Sequence, residues 1–389
     1  MANVLKNIKG DKVIWTVVFL LTIISFLAVY SSTGTLAWKY KGGNTEYYML
    51  KHAIILFLGL LLMYFAHLIK YTYYSRIFQI ALYIAVPLLL ITLIFGLNLN
   101  EAKRVLQLPF NLTFQTSDLA KITLIIYLAR ILTKKQDQIK DFKEAFIPLM
   151  IPVLIVCGLI FPANFSTAAL LFTTSMVLIF IGRVKLTYFF GMIAIGLVAL
   201  IIALSILYYM PVEKQGRLAT WKSRIESFID GGESSDNYQV EQAKIAIASG
   251  YPFGKGPGNS TQRNFLPHPY SDFIFAIIVE EYGLAGGFVI VLLYLILFYR
   301  AVRIVTKIPG TFGSFLTIGV SFSLVFQAMI NMGVAVNILP VTGQPLPLVS
   351  MGGTSIWFTS LAIGIILSVS KDLENNTVAL ETVNNDEDE

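Results

Sequence analysis

The chain has 389 residues, of which 56% are hydrophobic and only 13% charged, too apolar a balance for a soluble domain of ordinary composition. Its length would allow two or three soluble domains, but long apolar runs argue for one integral membrane unit. The single cysteine, Cys157, excludes an intrachain disulfide framework and argues against a thiolate metal site, and the net charge of +6 is weak ground for expecting nucleic acid as a partner.

In chain order, Lys6, Lys9 and Lys12 precede an apolar run from Val13 to Tyr30. That run is long enough to span a bilayer and more runs follow, so it reads as an uncleaved first helix, not a signal peptide. Ten candidate spans emerge, at roughly 13–31, 50–69, 77–97, 116–133, 145–162, 164–182, 186–209, 271–299, 312–337 and 351–370. The fourth is short and begins in a polar stretch. The eighth carries acidic residues and glycines, which points to a broken or tilted helix. The fold class is therefore an all-α integral membrane protein with about ten transmembrane helices. Residues 1–371 form one polytopic domain, and 372–389 form a disordered acidic tail.

Lys and Arg in the loops set the orientation. With the N-terminus cytoplasmic, every short inside loop is basic: Lys70 and Arg76, then Arg130, Lys134, Lys135, Lys140 and Lys143, then Arg183 and Lys185, then Arg300, Arg303 and Lys307. The outside loops 163–166 and 338–350 carry no charge. Both termini then lie in the cytoplasm. The large outer loop 210–270, between spans seven and eight, holds both signs of charge, and long loops do not obey the rule. Within it Tyr238–Ser249 reads as a short helix stopped by Gly250.

Ionisable groups inside or beside spans are expensive and suggest function. Asp272 opens span eight. Glu280 and Glu281 lie roughly 12–13 Å deeper along the same helix. Lys121 and Asp118 sit in the first turns of span four, with Lys103 and Arg104 just before it. If spans four and eight are neighbours, Lys121 or Arg104 would neutralise the carboxylates of span eight. Each has a plainer reading. Asp272, after Pro267 and Pro269, would serve as a helix N-cap; Glu280 and Glu281 would belong to a buried structural ion pair; Arg104, Arg217 and Arg224 would be solvated surface charges. Gly254-Lys255-Gly256-Pro257-Gly258 looks like a phosphate-cradling loop but follows no buried strand, so a turn holding the outer loop against the membrane is the better account. His52, His67 and His268 lack metal-ligand spacing. Pro and Gly around 343–355 imply irregular backbone, tolerated at membrane depth where it lines a cavity or is buried in protein.

Several motifs then resemble one family. Gly256-Pro257-Gly258-Asn259-Ser260, Leu266-Pro267, Ser271-Asp272-Phe273-Ile274-Phe275-Ala276 and Glu280-Glu281-Tyr282-Gly283-Leu284 are similar to the long signature of the SEDS proteins (shape, elongation, division and sporulation). Asn331-Met332-Gly333-Val334, Gly343-Gln344-Pro345-Leu346-Pro347-Leu348-Val349-Ser350 and Gly352-Gly353-Thr354-Ser355 resemble its second signature. Phe114-Gln115 with Lys121, and Phe165-Ser166-Thr167-Ala168, resemble two shorter motifs. The spelling is nearer the division member than the elongation member. Thr116-Ser117-Asp118 replaces the usual Pro-Ser-Glu, Asn164 stands where many members carry aspartate, and Met351 replaces a tyrosine.

The resemblance implies ten helices and a peptidoglycan glycosyltransferase on the outer face of the bacterial cytoplasmic membrane, at the division septum. It implies lipid II as substrate, and a class B penicillin-binding protein and other divisome proteins as partners. Asp272 would be the essential residue. Arg104 and Lys121 would be substrate or structural contacts, with Lys255, Arg217, Arg224 and Ser271 as further candidate substrate contacts. An acceptor sugar hydroxyl attacking an anomeric carbon needs a base, and a departing lipid pyrophosphate needs cations. Asp272 would act as that base, or would hold Mg²⁺ or Mn²⁺ on the pyrophosphate. No organic cofactor is implied. A lipid flippase is the competing class, but its polar groups should line the whole crossing, and here they cluster toward the outer half. A third reading is a non-catalytic divisome scaffold, which would not need Asp272.

Overall fold

Asp11 ends the charged N-terminal stretch and starts the first helix: its carboxylate accepts from the amides of Val13 and Ile14, and its other oxygen pairs with Arg300 at 2.5 Å. The computed structural model describes residues 9–99, 102–108, 112–209 and 235–387. Chain order gives α1 (Lys12–Ser32), α2 (Gly34–Lys41), α3 (Thr45–Leu68), α4 (Tyr71–Phe95), strands β1 (Leu97–Leu99), β2 (Ala102–Leu108) and β3 (Leu112–Gln115), then α5 (Thr116–Lys134), α6 (Ile147–Ile160), α7 (Phe165–Ile181) and α8 (Leu186–Tyr209). After these come α9 (Ser235–Ser249), α10 (Ile274–Lys307), α11 (Thr311–Ala335) and α12 (Thr354–Glu387). A helix stands at each of the ten predicted spans. Among the described residues seven helices are long and apolar enough to cross a membrane, which makes this a multi-pass membrane protein.

The polar start of the fourth predicted span has a packing cause. Helix α5 lies among α4, α6, α7, α11 and α12, and Thr116, Ser117, Asp118 and Lys121 are all buried there. A helix surrounded by protein needs no lipid-facing apolar stripe. Elsewhere small residues let helices approach: α3 lies along α12, and a Cβ on Gly364 would come within 2.6 Å of the Met63 carbonyl, while one on Gly59 would meet Ser360 Oγ at 2.8 Å.

The predicted basic loops gather at one end of the bundle. There Arg300 meets Asp11, Lys371 Nζ donates to Leu68 O, the Gly10 amide donates to Glu374, and Tyr71 stacks on Phe312. The opposite end carries α2, the strands, α9 and the loop 338–353.

Beside the helices stands one small sheet: β1, β2 and β3 form a three-stranded antiparallel sheet in the order β1-β2-β3, in which Val105 pairs with Gln115 and Leu106 with Phe114. Val105 is buried and Gln107 exposed although they share a face of the strand, so no alternation marked these residues beside the spans. Helix α12 runs past residue 372 to Glu387. The Gly10 amide on Glu374 and Lys9 on Asn375 anchor the first turns beyond the predicted span.

The eighth span is broken, as its glycines suggested. Gly283, with φ +68° and ψ −165°, interrupts α10. Three of the freed backbone groups are taken by the preceding loop. Lys255 N donates to Glu280 O, Gly256 N to Glu281 O, and Leu284 N to Pro252 O. Only glycine allows so close an approach: a Cβ on Gly283 would lie 2.3 Å from Pro252 O, and one on Gly254 2.3 Å from Glu281 O. The glycine-rich loop is thus a splice into a helix break, where a turn against the membrane was expected, and the helix predicted over 238–249 is present as α9.

Candidate active site

Asp272 lies half-buried just before α10, at the end of the bundle away from the basic loops. It does not cap the helix. The N-cap is Phe273, without a side-chain bond. Ser271 Oγ donates to Asp272 Oδ1 at 2.9 Å. The backbone around it is held at three points: Asn331 Nδ2 donates to Asp272 O (2.9 Å), Ser350 Oγ to Ser271 O (2.6 Å), and Met351 N to Tyr270 O (2.9 Å). Asp272 Oδ2 lies 3.7 Å from where a Cβ on Gly343 would sit, and Gly343 has φ +64°. Tyr270 Oη is 3.0 Å from His268 Nδ1. Burial, then the Asp272 carboxylate, then Tyr48 and Tyr40, push the Tyr270 phenol above its usual range, so it is neutral beside the carboxylate.

Two of these three clamps come from the loop between α11 and α12. That loop has irregular backbone yet is buried, with Leu346, Leu348 and Val349 each no more than 2% exposed. Its carbonyls are satisfied from side chains of separate helices. Asn331 Nδ2 serves Gln344 O, Gln327 Nε2 serves Pro345 O, the Tyr294 hydroxyl serves Pro347 O, and Ser25 Oγ serves Val349 O. Within the loop Ser350 N donates to Leu346 O, and Leu346 N to Ser350 Oγ. The expectation of irregular backbone buried in protein holds.

The other predicted residues fall into different places. Glu280 and Glu281 are fully buried, as the structural reading had it. Glu280 pairs with Lys255 Nζ at 2.6 Å and accepts from Ser260 Oγ and from the amide and hydroxyl of Thr261. Glu281 accepts from the Ser31 hydroxyl and the Ser260 amide. Their partners therefore come from the 249–262 loop and α1, not from Lys121 or Arg104 as expected. Lys255, a candidate substrate contact, has its ammonium on Glu280 and Thr261. Lys121 is buried against Asp118 (2.9 Å) and Gln327 Oε1 (3.0 Å), and Gln327 continues to Pro345 O. A cavity of about 30 Å³, room for a water or two, opens between α5, α11 and α12 beside Lys121 and Asp118. Arg104 stands on β2 and its Nε donates to Ala163 O, next to Asn164, which caps α7. Ser271 adjoins Asp272. Arg217 and Arg224 lie outside the described residues.

The sequence reading assigned no role to the residues that carry the clamp: Asn331, Gln344 and Ser350 stood only as letters of a signature, and Gln327 did not stand out at all. Gln344 Nε2 also reaches Thr167 Oγ1, tying the loop to α7. A search confined to ionisable groups misses them. Uncharged amides inside the ninth apolar run were the available signal, because a buried amide needs partners as surely as a charge does.

Residues 11–375 match the family model described as cell cycle protein, that of FtsW, RodA and SpoVE. The chain is 30% identical over 380 residues to stage V sporulation protein E of Bacillus subtilis, covering 94% of this chain and 98% of that protein. It is 32% identical over 371 residues to the probable peptidoglycan glycosyltransferase FtsW of Trichlorobacter lovleyi, covering 94% of each. Among solved structures, it superposes on a chain of a peptidoglycan synthase complex that coordinates polymerization and crosslinking, with a TM-score of 0.74, 22% identity, and 94% and 98% of the two chains covered. It superposes on the rod shape determining protein RodA of Thermus thermophilus with a TM-score of 0.65, 22% identity, and 93% and 97% covered. The fold, the signatures and the near-complete match agree: the chain belongs to the FtsW/RodA/SpoVE family, the SEDS proteins.

Proposed function

We propose that this protein is a peptidoglycan glycosyltransferase that polymerises lipid II on the outer face of the cytoplasmic membrane, with Asp272 as the reacting carboxylate. The observation that carries this is the contrast in how the carboxylates of one helix are held. Glu280 and Glu281 are fully buried inside the protein, whereas Asp272 lies half-buried at the end of the bundle away from the basic loops, with its backbone held by Asn331 and its neighbour Ser271 held by Ser350. Such a grip fixes a carboxylate in space. The basic loops put the opposite end in the cytoplasm, so Asp272 faces outward, in a bundle of ten spans with both termini inside.

In the transfer, an acceptor hydroxyl oxygen attacks the anomeric carbon of a lipid-linked donor. The bond from that carbon to the pyrophosphate oxygen breaks, and its electron pair leaves with the lipid pyrophosphate. Asp272 takes the hydroxyl proton as the new glycosidic bond forms. Arg104, on the strand beside α7, is a candidate cation to meet the pyrophosphate. Lys121 acts from below, holding Gln327 and through it the loop. A divalent cation also fits the chemistry of a single hard carboxylate: Asp272 would give it one oxygen, and Mg²⁺ or Mn²⁺ bound there would supply charge neutralisation to the pyrophosphate. Among the described residues no cluster of three carboxylate, imidazole or thiolate groups exists to hold such an ion alone.

The partner is a class B penicillin-binding protein and the site of action the division septum. This is supported by the similarity to the FtsW proteins and by the fold shared with a chain of a peptidoglycan synthase complex. The test is polymerisation of labelled lipid II by the purified protein with that partner, the partner's own activity blocked. Glycan chains from wild type and none from folded Asp272→Asn are expected. Equal polymer from both would remove Asp272 from the chemistry. No polymer from either, with lipid II crossing liposomes, would replace the enzyme with a flippase.

A further inference from the structure

The support beneath Asp272 reaches across the bundle to a buried histidine. His52, on α3, is 1% exposed, and its Nε2 is 2.8 Å from Ser25 Oγ of α1. Ser25, itself fully buried, has its Oγ 2.8 Å from the Val349 carbonyl. A hydroxyl has one proton. Val349 O can only accept, so Ser25 donates to it and must accept from His52, whose Nε2 carries the proton. His52 Nδ1 is then a bare acceptor, buried with no partner among the described residues. The other tautomer would leave a buried donor unsatisfied and would withdraw the donor from Ser25, so it is disfavoured twice.

What this pair grips matters for the site. Val349 follows Leu348, a non-glycine residue at φ +62°. Such a conformation persists only where the surroundings over-determine it. Val349 also precedes Ser350, whose hydroxyl bonds Ser271 O next to Asp272. The arrangement is not a nucleophile and base. The Ser25 proton points to a backbone carbonyl, away from the imidazole, and no surface reaches it.

We propose that His52 and Ser25 are positioning residues for glycosyl transfer: His52 Nε2–H to Ser25 Oγ–H to Val349 O forms a latch from α3 and α1 that sets the Val349–Ser350 turn and, through Ser350, the register of Asp272. The role rests on Asp272 being the reacting carboxylate. Asn331 holds the same segment from the α11 side, so the latch is the opposing jaw of the clamp.

The test uses the full chain with its transpeptidase partner and labelled lipid II, comparing wild type, His52→Ala, Ser25→Ala, His52→Gln and Leu56→Ala. Leu56 is a buried residue one turn further along α3 with no polar link to the loop, and serves as the control for lost packing. His52→Ala and Ser25→Ala should lower kcat about tenfold or more, as small misplacements of a reacting group do, with KM little changed. His52→Gln, whose amide N–H reaches about where Nε2 sits, should restore most of the rate. Amide exchange at Val349–Met351 should rise in both alanine variants, return toward wild type with Gln, and stay unchanged in Leu56→Ala at matched Tm. Full kcat in His52→Ala, equal losses in Gln and Ala variants, or an equal kcat loss in Leu56→Ala would each overturn the latch. A wild type that makes no polymer at all would instead overturn the glycosyltransferase reading.

Discussion

Asp272 and Glu280 stand eight residues apart on one stretch of chain, and the protein treats them in opposite ways. Glu280 is fully buried, with an ammonium, three hydroxyls and backbone amides turned on its carboxylate. Its neighbour Glu281 anchors the same region to α1 through Ser31. Asp272 sits half-buried with its carbonyl, and those of the two residues before it, bound to α11 and the 338–353 loop. A carboxylate inside a membrane protein is therefore not a functional group by virtue of being there. Glu280 and Glu281 are sealed inside the protein among donors. Asp272 is partly accessible, on a backbone pinned by neighbouring segments.

The sharpest way to break this comparison is to neutralise each carboxylate in turn. Asp272→Asn should lower polymerisation by about 10²- to 10⁴-fold, the range of a lost general base, while leaving thermal stability near wild type. Glu280→Ala should do the reverse: removing one partner of a buried pair costs about 3–5 kcal/mol, read as a fall in Tm in detergent, with turnover per folded molecule retained. If Asp272→Asn unfolds the protein and Glu280→Ala silences it while folded, the two roles have been exchanged.

Next in size is the helix break. Gly283→Ala puts a methyl 2.3 Å from Pro252 O at a residue with φ +68°, so both strain and clash oppose it. A loss of about 2–4 kcal/mol is expected from such a combination. The 250–256 loop should detach with it, since that loop supplies the donors to Glu280 O and Glu281 O. Tryptic cleavage after Lys255 should then appear in the variant and be absent in wild type.

Much of this was legible in the sequence because bilayer physics is restrictive. Ten apolar runs, their basic flanks, the break at the glycines of span eight and the short helix before Gly250 all follow from length, charge and breaker residues. The meander over 97–115 was not, because strands of three to seven residues carry too little period to register beside the spans. At the site, Asp272 was legible as a charge out of place, and a buried structural ion pair at Glu280 and Glu281 as the plainer alternative, though not that Lys255 would be the partner. What held Asp272 was not. Asn331, Gln344, Ser350, Ser25 and His52 act through hydrogen bonds between segments 13 to more than 300 residues apart. No local pattern encodes which carbonyl each will meet. Lys121 shows the same limit: the sequence offered it to span eight, and tertiary packing gave it Asp118 and Gln327.

The smallest effect is the finest test, because it removes the same atom from each kind of carboxylate. Ser271 Oγ donates to Asp272 Oδ1, and Ser31 Oγ donates to Glu281 Oε1. Each serine-to-alanine change deletes one hydroxyl, worth about 1–2 kcal/mol to a charged acceptor. If the roles differ as described, that loss appears in different measurements. Ser271→Ala should lower kcat about three- to tenfold and move Tm by no more than a degree or two, because a half-exposed carboxylate regains water in place of the serine. Ser31→Ala should leave kcat per folded molecule alone and lower Tm by several degrees, because Glu281 is 1% exposed and water has no ready access. A matching pair of stability losses would mean that Ser271 serves stability just as Ser31 does, and the distinction between the two carboxylates would fail at its most direct point.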